Sequence, residues 1–192
     1  MRNAIRSFQI PAPLQTLYDA AAAIGPQFGL SPEAVFGDCG LRLEIPPVPD
    51  YIDWCTPRNV MTFATTGCDS VHYSYLVDER LPGSVSPIVM TLPCVNELSW
   101  VIAENFQEFF DYGYCVGWRE LEQLYYEDEK GEACFHAGYQ SLNNLGMQQQ
   151  LLLRLHKALN MQAVLPTLQR FGDLQKKYQA LLNIPPMPAE HA

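Results

Sequence analysis

Three residue types that do chemistry fall close together in the stretch TFATTGCDSVHYSYL, residues 62–76: a thiol at Cys68, a carboxylate at Asp69 and an imidazole at His72. Such a set can ligate a metal, activate a thiolate or carry acid–base hydrolysis. Each of these needs more than the stretch supplies. A metal site takes three or more ligands. Only Asp69 and His72 are natural ones here, and His136, His156 and His191 stand alone downstream, so no metal is expected. A Cys68–His72 nucleophilic pair needs surroundings that stabilise a thiolate, and nothing else in the sequence supports them. A small hydrolase built on Asp69 and His72 needs a remote carboxylate that the sequence does not single out. The signatures G-x-S-x-G, the P-loop, H-E-x-x-H and G-x-G-x-x-G are absent. The expectation is therefore no catalytic residues and no cofactor. The set reads as a β-hairpin turn, with Gly67 and Asp69 as residue types that accept a turn's unusual φ values. Asp69 and His72, exposed at its tip, are then candidate contacts for a partner.

The flanking sequence shows what positions that turn. VMTFATT before it and SVHYSYLV after it are rich in β-branched and aromatic residues at period two, which predicts two strands. Val71, Tyr73, Tyr75 and Val77 fall on one face; His72, Ser74 and Leu76 fall on the other. SPIVMTLP, an apolar run between prolines, predicts a strand buried on both faces, and ELSWVIA another. LRLEI alternates as a short strand. The proline-rich IPPVPDYIDWCTP that follows predicts an ordered connector without regular structure, with Tyr51, Ile52 and Trp54 packing on the core.

Helices are predicted at both ends. Leu14, Leu17, Tyr18 and Ala21 recur at helical spacing over 13–24, before Gly25-Pro26. SPEAVFGDCG predicts one or two helical turns. ENFQEFFDYG predicts a helix capped by Asn105, with Glu108 at capping-box spacing and Gly113 as its end. Its aromatic residues, with Tyr114 and Trp118, read as core. RELEQLYYEDEK predicts a short helix with a charged end. Leu142, Leu145, Leu152, Leu155 and Leu159 predict one long helix; Leu168, Phe171, Leu174, Tyr178 and Leu181 predict a second after Pro166. The two are expected as a helical hairpin over 138–184, packed on the sheet. Strands grouped between terminal helices give an α+β fold, a central mostly antiparallel sheet flanked by N-terminal and C-terminal helices, in a single domain over 1–192.

Composition narrows the partners. With 48% apolar and 17% charged residues the chain can bury a core. Its formal net charge of -9 is wrong for a general nucleic-acid binder and suits a basic protein partner. Nine acids and two bases lie between Glu104 and Glu132, so seven of the nine net negative charges fall in this window. Glu127, Asp128 and Glu129, beside Tyr125 and Tyr126, are candidate partner contacts; a solvated helix face is the plain alternative. The start of the chain has no apolar signal core, and no stretch has the length of a membrane span. Six scattered cysteines without C-x-x-C spacing read as reduced thiols in a cytoplasm.

Within 57–124, the segment T-G-x-D-x-x-H-Y at Thr66 to Tyr73, the proline-bounded strand at 87–93 and the passage VIAENFQEFF resemble the SUKH superfamily. That superfamily groups Knr-type cell-wall-synthesis regulators of yeast with bacterial immunity proteins. The resemblance implies an α+β fold without catalytic residues and, for a bacterial member, neutralisation of a toxin, often a nuclease, by protein–protein contact. A regulatory or scaffolding module unrelated to toxins is the second reading it allows.

Overall fold

The computed structural model describes residues 9–52, 54–83, 85–93, 99–122, 125 and 146–186. Five strands, β1 (Arg42–Val48), β2 (Val60–Thr65), β3 (His72–Leu76), β4 (Ile88–Thr91) and β5 (Ser99–Ala103), form one sheet in sequence order, every neighbouring pair antiparallel. Helices α1 (Ala12–Ile24), α2 (Phe106–Val116), α3 (Gly146–Leu159) and α4 (Leu168–Tyr178) flank it. This is the expected α+β architecture.

Period two sorts the strand residues onto two covered faces. Phe63, Tyr73, Tyr75, Ile88, Met90 and Ile102 point into the main core, against α1, α2 and α3. Val60, Leu76, Val89 and Val101 point the other way, against Leu174 and Tyr178 of α4. Of the helical hairpin expected over 138–184, residues 138–145, with Leu142 and Leu145, lie outside the described residues, and the described helices α3 and α4 make their main contacts with different partners. Leu151, Leu152, Leu155 and Leu159 put α3 in the main core, while α4 lies across the second face beside β5. Each helix has its own apolar stripe; α4 covers the second face with Leu174 and Tyr178, while its Phe171 reaches the main core.

Two other expectations change. Strand β1 runs on through Pro46 and Pro47 to Val48, with a register shift after Leu43 and a cis Ile45–Pro46 bond. An edge strand can carry proline because a missing N–H costs nothing on the side without a partner. Helix α2 passes Gly113 and ends at Gly117, whose φ of 95 suits glycine. Gly113 is there for contact: a Cβ would sit inside the ring of the fully buried Trp118. The N-terminus of α2 is capped as predicted. The Asn105 side chain accepts from Glu108 N–H at 3.0 Å, and Glu108 reaches back to Glu104 N–H at 2.6 Å.

Helix α4 is tied down by polar bonds. Arg170 Nε donates to Glu108 at 2.8 Å, and its Nη2 donates to Glu104 at 3.1 Å. Lys177 and Tyr178 also donate to Glu104. Gln175 closes the sheet edge: its Oε1 accepts from Val101 N–H at 2.9 Å and its Nε2 donates to the Ser99 carbonyl at 3.2 Å. One amide side chain thus does what a sixth strand would do for β5.

Candidate functional site

The hairpin between β2 and β3 ends in a tight turn. Val71 N–H donates to the Cys68 carbonyl at 3.1 Å, with Asp69 at φ 47 and Ser70 at φ 58 in the two central positions. Two left-handed central residues make this a type I′ turn, whose twist matches that of the strands. Gly67 precedes it at φ 80, also left-handed, as its residue type predicts. The Thr66 hydroxyl donates to the Cys68 carbonyl at 3.0 Å and accepts from Cys68 N–H at 3.3 Å. Gly67, Cys68, Asp69 and Ser70 are all exposed.

His72 is not. Its side chain is fully buried, against the expectation of an exposed contact. The connector between β1 and β2 folds over it: Tyr51 packs its ring 5.0 Å from the imidazole, and Thr56, itself buried, reaches Nε2 at 3.0 Å. Nδ1 lies 2.9 Å from the Ser70 carbonyl. A carbonyl only accepts, so Nδ1 carries the proton and Nε2 accepts from the Thr56 hydroxyl. That hydroxyl oxygen in turn accepts from Ile52 N–H at 2.8 Å. Burial pushes the imidazole pKa down to about 4, against the pull of the Ser70 carbonyl. His72 is thus a neutral pin joining the connector, the strand and the turn. Neither nitrogen is left for the Cys68 thiol or for a hydrolytic water.

The strands around His72 also carry buried hydroxyls. Thr62 and Ser74 pair at 2.8 Å and Thr91 and Ser99 at 3.3 Å, all buried. Each is a cross-strand pair that satisfies its own polar atoms.

A cleft of about 360 Å³ opens beside the turn, lined by Arg42, Tyr51, Thr65 and the four residues from Gly67 to Ser70. Arg42 and Tyr51 escaped sequence reasoning. The alternation of LRLEI places Arg42 away from the core but says nothing of what it faces, and the connector has no periodicity to orient Tyr51.

Among the described acids of the window, Glu104, Glu108 and Asp111 serve as internal wiring. Glu104 and Glu108 hold Arg170, and Lys177 and Tyr178 keep the Glu104 carboxyl down at a pKa of about 2, Lys177 first. Buried Asp111 accepts from Gln162 N–H at 2.7 Å and so pins the chain after α3. Glu122 is buried with Oε2 unpartnered, and burial, with Asp69 nearby, pushes its pKa up. Glu127, Asp128 and Glu129 lie outside the described residues, as do Tyr126 and the expected helical end at 123–130 apart from Tyr125, which packs edge-on against Trp100.

Among the described residues no group of three His, Cys, Asp or Glu could hold a metal ion, and no helix is long and apolar enough to cross a membrane. No protein-family model matches the chain, and no curated protein matches it.

Proposed function

We propose that this chain is a non-enzymatic protein-interaction module whose contact end is the β2–β3 turn and the cleft beside it. The observation that carries this reading is the construction of that end. Four exposed residues project from a turn held at both strands and pinned from beneath by His72. A contact loop fixed in advance loses little entropy when it docks. The reading that makes Asp69 and His72 a hydrolytic pair has less support, because His72 is buried with both nitrogens engaged.

The partner we favour is a basic protein. The net charge of -9 would speed its approach, and Asp69 offers it a carboxylate at the tip. In the version that the SUKH resemblance implies, the partner is a toxin domain, often a nuclease, neutralised in the cytoplasm. The free thiols Cys39, Cys68 and Cys115 suit a reducing compartment. The test is capture of partners from the native lysate by the tagged chain, washed at low and high salt. A stoichiometric basic protein held at low salt, released at high salt, and lost with Asp69→Lys or with charge reversal at Glu127, Asp128 and Glu129, is the expected result. Capture of no basic protein at either salt would remove the toxin reading and leave the regulatory module.

A further inference from the structure

The cleft beside the turn is rich in hydrogen-bond donors, and its strongest donor is uncommitted. Arg42 is exposed, and among the described residues no hydrogen bond or ion pair engages its guanidinium. Its stem is nonetheless fixed. It lies over two glycines: a Cβ added at Gly37 would stand 3.3 Å from Arg42 Cγ, and one added at Gly67 would stand 2.8 Å from Cδ. Gly67 therefore does two jobs, supplying a left-handed backbone and leaving a track for the arginine. Gly67, Asp69 and Ser70 line the same cleft, and among the described residues no hydrogen bond engages their backbone N–H groups.

The acceptors nearby do not use up these donors. Asp69 lines the cleft but makes no ion pair with Arg42, and its charge is felt by Glu122 beyond the turn. Glu44, two residues along β1, makes none either. A ligand for this cleft must supply acceptors and tolerate a cation. A guanidinium offers five N–H donors in a planar fork, the match for two oxygens of one carboxylate or phosphate. An apolar ligand would strand those donors.

We propose that this cleft, with Arg42 laid across Gly37 and Gly67 beside the Gly67–Ser70 turn, is a binding site for an oxyanion group, a carboxylate or a phosphate. The site uses the same cleft as the contact end proposed above, but its ligand chemistry does not depend on a basic partner. Because the whole chain is negative, long-range repulsion works against an anion, and only a group that reaches the guanidinium is held. This makes the cleft selective in a way that net charge is not.

The test is a ¹⁵N NMR titration of the full chain, with sodium acetate in one series and sodium phosphate in the other, at constant ionic strength set by chloride. The expected result is saturable shifts at the Gly67, Asp69 and Ser70 amides and at Arg42 Nε–H. Saturation by acetate alone assigns a carboxylate, and by phosphate alone a phosphate. Arg42→Gln should weaken binding at least about tenfold, the loss expected of one charge-assisted contact, and Arg42→Lys should weaken it less. Arg58→Gln, at an exposed arginine outside the cleft, should change nothing. Shifts that never saturate in either series, or an Arg42→Gln titration equal to that of the wild type, would overturn the proposal. Either failure leaves the partner-capture test untouched.

Discussion

Acid will loosen this protein through His72 before it protonates most of its carboxylates. The folded chain holds the imidazole to a pKa of about 4, whereas a free histidine titrates near 6.5. Between these values the unfolded chain takes a proton that the folded chain refuses. Stability therefore rises with pH across this window: it is complete above 6.5 and falls away as pH drops toward 4. At about 1.36 kcal/mol per pH unit, the gap amounts to about 3 kcal/mol, and most of it is already lost at about pH 4.5. Carboxyls complicate a single curve. Burial raises Glu120 and Glu122, so their protonation favours the fold as pH falls. Glu104, held at about 2, starts to cost stability as pH falls through the ordinary carboxyl value of 4.5 and goes on costing it down to about 2. A variant isolates the histidine. His72→Asn keeps a donor for the Ser70 carbonyl and cannot ionise. Urea unfolding of both proteins between about pH 7.5 and 4.5 should show the wild type losing about 2 to 3 kcal/mol more than the variant. Equal losses would refute the assignment of a neutral buried pin. So would ¹⁵N shifts showing an imidazolium, or a proton on Nε2, at about pH 5.5.

Three further outcomes test the packing. Ser70→Gly relieves a left-handed serine in the type I′ turn and should raise stability by up to about 1 kcal/mol, read from the urea midpoint. Gly113→Ala drives a methyl into the Trp118 ring and should cost about 3 kcal/mol or more; a loss under about 1 kcal/mol would mean that the ring is free to move. Gln175→Ala leaves Val101 N–H and the Ser99 carbonyl without partners on the β5 edge. It should cost about 1 to 2 kcal/mol and promote self-association on warming, followed by light scattering.

Much of the scaffold is local and was legible in the residues. The period-two runs around Gly67 predict β2 and β3, the proline-bounded run predicts β4, and Asn105 with Glu108 predicts the start of α2, because side-chain alternation and capping act within a few residues. The turn was legible for the same reason: Gly67 and Asp69 are types that accept left-handed backbone. What covers each face is not local. Period two puts His72, Ser74 and Leu76 together, but only the tertiary structure lays the connector over His72 and α4 over Leu76. The same limit misled the reading of charge. A carboxylate on a helix looks solvated in sequence, yet Glu104 and Glu108 are spent on Arg170, a residue more than sixty positions away. Pro46 and Pro47 looked like the end of a strand because proline lacks a donor, and only the place of β1 at the sheet edge makes that donor unnecessary. The cleft joins Arg42 to a turn some twenty-five residues further on. The sequence alone determined which elements form and where the turn lies; which residues stay exposed was decided by long-range packing, since burial is a property of the partner surface as much as of the residue.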